Sequence, residues 1–345
     1  MKANAKSRAR SLITVGIVLG TITAAAVVVA CGSSSSGDST SQEDGIGLNN
    51  ITMAANAPES AMPVDATPSP DGSQIYYVAF SSKMDVDNIK MERVPAIFRV
   101  AATGGAPQKL FEGEPLSSPF GITISDDGQT LFIADSSADG SSGLSDRSDG
   151  RVFSLPAGGG TPKALAGTEG ITPAAVEAAG DALYVTGRKE GHPGLFKTGL
   201  GGGAVSPVAV DGVFSDPGGV AVGRDGVAYV IDTGSATGGQ ALASVIKVTP
   251  DGKTEVILEG IAVGHPAGIA LVNDGSAVLV SGLDAAEGTD RVFRVELEGR
   301  TVKTLKSQIG EFYESAGLHR AKNSDTFAWA DSHANTHGTV YMLKP

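Results

Sequence analysis

The sequence contains a single cysteine, Cys31, among its 345 residues. A disulfide within the chain is therefore excluded, and the stability of the fold must come from packing. The sequence also lacks a Gly-x-x-x-x-Gly-Lys-Ser/Thr phosphate loop, a Gly-x-Ser-x-Gly nucleophile elbow and a cysteine after Cys31 that could act as a nucleophile. These absences argue against P-loop nucleotide binding, α/β-hydrolase chemistry and thiol catalysis.

Basic residues are scarce, with 26 Lys and Arg against 38 Asp and Glu, for a formal net charge of −12. Four of the basic residues and none of the acidic ones precede Cys31. Without residues 1–30 the balance is 22 basic against 38 acidic residues, a net charge of −16. We therefore expect no nucleic acid partner, and we expect the folded domain to be repelled by anionic lipid headgroups.

The amino-terminal 30 residues have the pattern of an export signal. A basic segment is followed by Leu12 to Ala30, 19 residues without a charge. The segment Val28-Val29-Ala30-Cys31 resembles the lipobox of bacterial lipoproteins, which implies cleavage before Cys31 and diacylation of its thiol. The alternative is a signal anchor that stays attached, because 19 uncharged residues are long enough to span a bilayer.

The next segment, residues 31–47, is rich in Ser, Gly, Asp and Gln and has too few apolar residues to fold, which predicts a flexible tether. Residues 48–345 form the predicted folded domain. The expected location is therefore the bacterial cell envelope, with an exported chain held to a membrane by its lipid anchor.

The folded domain contains an internal repeat that occurs six times. One copy runs from Ser118-Pro119-Phe120-Gly121 to Asp135, and the others begin at Pro63, Pro173, Pro217, Pro266 and Ser315. Counted from Pro119 for that copy, successive starts differ by 56, 54, 44, 49 and 49 residues. This spacing suits one propeller blade of four short strands.

Each copy reads as a series of strands, with Asp-Gly turns such as Asp127-Gly128 between the first and the second. The sequence therefore predicts an all-β fold, a six-bladed β-propeller of four-stranded antiparallel blades. The sixth copy ends before it can supply a fourth strand. We predict that Asn50 to Ala54 supplies this outer strand beside Val340 to Leu343 and closes the ring.

The repeat pattern resembles NHL repeats and the propellers of the gluconolactonase and strictosidine-synthase-like families, over roughly residues 50–345. For gluconolactonase-like propellers the resemblance implies a divalent metal held by Glu, Asn and Asp at the start of the inner strands. The matching positions carry side chains that cannot ligate a hard cation: Val64, Phe120, Ala174, Gly218, Ala267 and Ala316. Glu314 alone lies close enough to replace one ligand, so we expect no metal and no cofactor, and a small, largely apolar channel.

Three second strands end in aspartate, at Asp135, Asp232 and Asp331. In NHL-type repeats, the resemblance implies that this carboxylate accepts backbone N–H bonds in the following loop. The alternative is an acidic rim that attracts a cationic ligand.

Four histidines are predicted to lie on one face of the propeller. His192, His333 and His337 fall in predicted loops after second strands, and His265 immediately precedes a first strand. Together with the three aspartates they form our candidate ligand face, which could bind a transition metal or supply a general base, as a lyase resembling virginiamycin B lyase would require. No metal-type spacing connects them. Only His319 falls inside a predicted strand.

Three function classes follow from this reading. The leading hypothesis is a monomeric, non-enzymatic binding module that presents the loops Ser81 to Arg93, Ser136 to Gly150 and Thr233 to Ala243 to a protein or small-molecule partner. The second is a lyase or hydrolase that uses the histidine face. The third is a structural envelope component without a discrete ligand.

Overall fold

The computed structural model describes residues 51–57, 61–85, 90–137, 150–234, 242–263, 267–284, 289–305, 315–332 and 338–344. The regular elements in these ranges are β-strands, numbered β1 to β24 in chain order, which form six four-stranded antiparallel sheets. The predicted all-β, six-bladed architecture is confirmed. Within the same ranges, no helix is long and apolar enough to cross a membrane. The predicted signal, Cys31 and the tether lie outside the described residues.

The first strand of each repeat copy is the inner strand of its blade. These strands are β2 (Ala61–Pro68), β6 (Pro119–Ile124), β10 (Ile171–Ala179), β14 (Pro217–Val222), β18 (Ile269–Leu271) and β22 (Ser315–Arg320). Each contacts the inner strand of the next blade, and β22 contacts β2. The six inner strands therefore form a closed ring around a central channel, and we number the blades 1 to 6 in this order.

The remaining strands follow outward from the channel. The second strands are β3 (Gln74–Asp85), β7 (Thr130–Asp135), β11 (Ala182–Lys189), β15 (Ala228–Thr233), β19 (Ala277–Asp284) and β23 (Phe327–Asp331). The third strands are β4 (Lys90–Ala101), β8 (Arg151–Pro156), β12 (His192–Gly199), β16 (Leu242–Val248), β20 (Thr289–Glu296) and β24 (Thr339–Leu343). The outer strands are β5 (Gln108–Glu112), β9 (Lys163–Ala164), β13 (Gly202–Val210), β17 (Thr254–Ala262), β21 (Val302–Leu305) and, in blade 6, β1 (Ile51–Asn56).

The core consists of six hydrophobic clusters, and each lies between two adjacent blades. The strands alternate in the direction of their side chains, so each blade has two apolar faces, one for each neighbour. Trp329, the largest fully buried side chain, belongs to the cluster between blades 5 and 6 and stacks on Tyr341. Blade-on-blade packing therefore replaces a single central core.

The ring is closed by the amino-terminal strand, as predicted. β1 pairs antiparallel with β24, with Ile51 opposite Leu343 and Asn56 opposite Thr339. Ile51 packs in the cluster between blades 5 and 6, whereas Ala54 and neighbouring alanines pack in the cluster between blades 6 and 1. One strand thus contributes to two blade interfaces and covers the outer edge of the last blade.

The glycine of the Pro-x-Gly motif allows neighbouring inner strands to approach each other. A Cβ on Gly219 would lie 2.6 Å from the carbonyl oxygen of Ala267 in the next blade. At Gly317, which has a φ of +47°, an added Cβ would collide with the carboxylate of Asp65. These positions tolerate only glycine because the ring brings adjacent backbones into contact.

Two predicted loop assignments are wrong because the strands are longer than their apolar segments. β3 continues to Asp85 and β4 begins at Lys90, so most of the predicted loop Ser81 to Arg93 is an extended hairpin. Likewise, His192 is the first residue of β12, where it pairs with Lys189 across a tight turn. Backbone pairing extends a hairpin beyond the point where hydrophobic alternation fades, so the sequence pattern marks its ends too early.

Candidate functional site

The aspartates that end the second strands are buried. Asp135 accepts a hydrogen bond from the backbone N–H of Ser117 at 2.8 Å, and Asp232 accepts one from that of Ser215 at 3.0 Å. Asp331 is also fully buried. These bonds tie the segment before the inner strand to the end of the second strand. The bond that the NHL resemblance implies, from the loop that follows, is described at Asp135, which accepts it from the backbone N–H of Ser137 at 3.1 Å.

Of the four histidines in the predicted face, the described residues include His192. The Nδ1 atom of His192 lies 2.9 Å from a carboxylate oxygen of Asp211, and more than half of each side chain is exposed. An ion pair with this exposure contributes little to stability. His265, His333 and His337 lie outside the described residues, so the clustering of the four histidines stays a prediction.

Four charged side chains instead converge in the channel itself, and we call them the channel cluster: Asp65 on β2, Glu177 on β10, His319 on β22 and Lys322 just after β22. The Nε2 atom of His319 lies 3.2 Å from Asp65, and its Nδ1 atom lies 3.1 Å from Glu177. The ammonium group of Lys322 lies 2.5 Å from the other oxygen of Glu177. The imidazole therefore bridges two carboxylates across the channel.

Further hydrogen bonds fix the two carboxylates. Asp65 accepts a bond of 2.7 Å from the backbone N–H of Ile122 on β6, and Glu177 accepts one of 3.1 Å from the hydroxyl group of Thr123. The channel cluster thus joins inner strands of blades 1, 2, 3 and 6. Because every charged group has at least two polar partners, the geometry is rigid and the burial of charge is compensated.

The channel cluster holds His319 and Glu177 in their charged forms. Burial disfavours the imidazolium of His319, but the carboxylates of Asp65 and Glu177 outweigh this effect and raise its pKa to about 10. Burial also disfavours the carboxylate of Glu177, but Lys322 and His319 lower its pKa to about 2. At neutral pH, His319 is therefore a cation and Glu177 an anion.

A cavity of about 440 Å³ opens beside the channel cluster, at the end of the channel where first strands turn into second strands, which we call the turn face. Glu177 and His319 form one wall. The opposite wall belongs to blades 4 and 5, where Ala221 and Ala270 occupy the same position in the repeat as the two charged residues. The small side chains of these blades leave the space open, so the channel is charged on one side and apolar on the other.

The opposite end of the channel, the loop face, contains a smaller cavity of about 200 Å³. Four of the motif positions expected to line the channel contribute to it: Phe120, Ala174, Gly218 and Ala267. The expectation of a largely apolar channel is therefore wrong for the turn face. It is based on the second residue of the Pro-x-Gly motif, and this position lies at the loop-face side of the channel cluster.

The sequence contains a signal for this cluster at a second position of the repeat. The fifth residue of each copy, counted from the first residue of its Pro-x-Gly motif, is polar in four of six blades: Thr67, Thr123, Glu177, Ala221, Ala270 and His319. In addition, Asp65 replaces the motif glycine of blade 1. A charged residue at a position that should face the ring axis indicates a polar channel.

The cluster does not have the form of a metal site. Both ring nitrogens of His319 point at carboxylates, so neither is available as a ligand. Among the described residues, no group of three or more His, Cys, Asp or Glu side chains could hold a metal ion.

Comparisons with known proteins identify the fold and no family. No family model and no curated protein matches the chain. Similar solved structures include the PQQ-bound aldose sugar dehydrogenase of Streptomyces coelicolor, with a TM-score of 0.61 and 15% identity over 85% of this chain and 97% of that one. Oligogalacturonate lyase of Vibrio parahaemolyticus has a TM-score of 0.50 and 10% identity over 85% and 93% of the two chains.

A third similar structure is a chain of a nidogen/laminin complex, with a TM-score of 0.53 and 16% identity over 71% of this chain and 80% of that one. At these identities the similarity shows a β-propeller and nothing finer. Since the fold occurs in two enzymes and in a protein complex, any function must be argued from the site.

Proposed function

We propose that this chain is an exported lipoprotein, anchored through Cys31, whose propeller binds a small polar ligand in the cavity at the turn face. The observation that supports a ligand site most directly is the cavity of about 440 Å³ next to the channel cluster. Small-molecule sites are typically concave, within a range of about 300–1,000 Å³, and combine apolar walls with a few fixed polar groups. The cavity lies in this volume range and has both kinds of surface, with Ala221 on an apolar wall and His319 among the polar groups that make up the larger share of its lining.

The channel cluster favours binding over catalysis. A general base works best when its pKa lies near the operating pH. With a pKa of about 10, His319 holds its proton at neutral pH, and with a pKa of about 2 Glu177 is a weak base. Both groups therefore present fixed charges to the cavity, which suits recognition of a polar ligand. The lyase or hydrolase hypothesis has no support from these groups.

Filling the cavity is expected to abolish ligand binding. In the variant Ala221→Phe, an aromatic ring would occupy the open side of the channel. Small polar metabolites that bind the protein in saturation-transfer NMR should lose their signal with this variant. Overpacking could lower stability by about 1–3 kcal/mol, so thermal unfolding must confirm that the variant is folded.

The matched control is Ala174→Phe, which places the same ring in the loop-face cavity. It should leave metabolite binding unchanged. If both variants bind as the unaltered protein does, or if only Ala174→Phe loses binding, the turn face is not the ligand site.

The proposed anchor rests on the lipobox-like segment before Cys31 and on the position of this only cysteine at the end of an uncharged run. A charge of −16 after residue 30 gives the domain no electrostatic attraction to anionic membranes, so the acyl chains must hold it there. Residues 31–47 would then act as the tether between membrane and propeller.

Cys31→Ser is expected to move the protein from the membrane fraction to the soluble fraction, or to leave it as an uncleaved precursor. Fractionation and intact-mass measurement check this result. Ser36→Ala, in the same tether, should stay with the membrane and carry the mass of a lipidated chain. A Cys31→Ser protein that is cleaved and still membrane-bound would show that the anchor is not a lipid on this thiol.

A further inference from the structure

The mouth of the turn-face cavity carries two guanidinium groups that meet at one amide. Arg224 of blade 4 donates to the side-chain oxygen of Asn273 in blade 5 at 3.3 Å, and Arg320 of blade 6 donates to the same oxygen at 3.4 Å. Both arginines line the cavity. Three consecutive blades thus bring two positive charges to one acceptor atom.

The repeat explains why these groups meet. Arg224, Asn273 and Lys322 occupy the same position in their copies, seven residues after the first residue of the motif. This position lies in the turn that follows each inner strand, so the three side chains belong to the mouth of the channel on adjacent blades. Arg320 lies two residues earlier, at the end of β22.

Within the described part of the chain, neither guanidinium group is in direct ion-pair contact with a carboxylate, although Asp325 and Glu177 lie close enough to Arg320 to act on its charge. Arg224 forms no ion pair there, and its one hydrogen bond goes to Asn273. Arg320 donates to the backbone carbonyl oxygens of Leu271, Ala321 and Ser324, which fix its plane without neutralising its charge. Burial lowers the pKa of Arg320. The carboxylates of Asp325 and Glu177 oppose this effect, and the nearby Arg224 adds to it.

Two like charges in one cavity mouth repel each other unless an anion lies between them. Their presence is notable in a chain with a net charge of −12. Guanidinium groups recognise carboxylate and phosphate oxygens through paired N–H donors. The neutral amide of Asn273 is a weak acceptor for two such groups.

We propose that Arg224 and Arg320 bind an oxyanion, a carboxylate or phosphate group, on the ligand of the turn-face cavity. The uncharged part of this ligand lies along the apolar wall formed by Ala221, Ala270 and Leu271. Lys322 lies at the inner end of the site, where its ammonium group is paired with Glu177. This inference rests on the proposed ligand-binding function of the same cavity.

The test is calorimetric titration of the purified full-length protein with succinate and with inorganic phosphate, and with succinamide as the uncharged match to succinate. At least one oxyanion is expected to bind, and succinamide is expected to bind at least about tenfold more weakly. Affinity should fall as salt rises, because the site is partly open to solvent.

Arg224→Gln is expected to weaken oxyanion binding by about tenfold to a hundredfold, which is the range for the loss of a charge-assisted hydrogen bond. Arg224 is exposed, so this variant should unfold at the same temperature as the unaltered protein. Arg300→Gln is the matched control, because Arg300 is an exposed arginine paired with Glu255 away from the cavity. It should bind as tightly as the unaltered protein.

The proposal is overturned if neither oxyanion binds, if succinamide binds as well as succinate, or if Arg224→Gln has no effect. These outcomes can be distinguished from failure of the proposed function itself. If uncharged metabolites bind and are lost in Ala221→Phe but not in Arg224→Gln, the cavity is a ligand site and the oxyanion assignment alone is wrong. If Ala221→Phe affects no ligand, both are wrong.

Discussion

Replacing His319 with glutamine is expected to lower the free energy of unfolding by about 3–5 kcal/mol, the range for removing one partner of a buried ion pair. The imidazolium separates Asp65 from Glu177, and both of its nitrogens are bonded to them. Without it, the carboxylate of Asp65 would stay buried with only backbone N–H partners. Urea denaturation, with the midpoint and slope compared between variants, measures the effect.

His192→Gln is the matched control, because it changes the same residue type in an exposed pair with Asp211. Its expected cost is below about 1 kcal/mol. Similar losses for the two variants would contradict a structural role for the channel cluster, and so would a His319→Gln protein as stable as the unaltered one.

The stabilising effect of His319 should depend on pH in a defined direction. The folded pKa of about 10 lies above the ordinary value of 6.5, so this contribution is complete below pH 6.5 and is lost as the pH rises towards 10. Between these two values the free energy of unfolding should fall by up to about 1.4 kcal/mol per pH unit. Glu177 has the opposite behaviour, since its pKa of about 2 lies below 4.5 and its contribution is lost in acid. The cluster therefore stabilises the fold most between pH 4.5 and 6.5. In His319→Gln the free energy of unfolding should decrease less steeply above pH 6.5.

The propeller could be predicted from the sequence because its determinants are local and repeated. Each blade is a meander of adjacent hairpins, and in four of the six blades an Asp-Gly turn such as Asp127-Gly128 lies between the apolar segments of the first two strands. Because the sixth copy lacks an outer strand, the segment before the first copy is predicted to supply it, and β1 closes the ring in this way. Strand ends were less predictable, as at Asp85 and Lys90, because backbone pairing continues there without an apolar pattern.

The channel cluster was harder to predict because it depends on contacts between distant copies. His319 and Asp65 are 254 residues apart and lie on the inner strands of different blades. Only the register of six inner strands around one axis shows that Asp65, Glu177 and His319 face each other. That register depends on the close approach of neighbouring backbones. The repeat pattern shows that the blades are equivalent, but it does not show how each blade is rotated about the channel axis.

The position of the cluster places the candidate site at the turn face and not at the loop face. Loops after second strands open at the loop face, which is where the sequence predicts histidines such as His192. The inner strands carry their charged residues towards the turn face, where the larger cavity lies. Short turns surround that cavity, and a site among short turns is held more rigidly than one among long loops.

Removing β1 is expected to cause the largest loss of stability among these tests, because the strand takes part in two blade interfaces. A chain that starts at residue 58 would lose the burial of Ile51, which is worth about 1.5–3 kcal/mol, and that of Ala54 and its neighbours. It would also lose the ladder to β24, at about 1 kcal/mol for each hydrogen bond. We expect a total of about 5 kcal/mol or more, to be measured by urea denaturation.

The control for this truncation is a chain that starts at residue 48, which keeps β1 and should be as stable as the longer protein. The exposed edge of β24 should also make the shorter chain self-associate, a change that size-exclusion chromatography detects. A synthetic peptide of residues 48–57 should restore the unfolding midpoint by adding the missing strand in trans. Equal midpoints for the two chains would mean that the ring does not depend on its amino-terminal strand, because blade-on-blade packing alone would then hold the sixth blade in place.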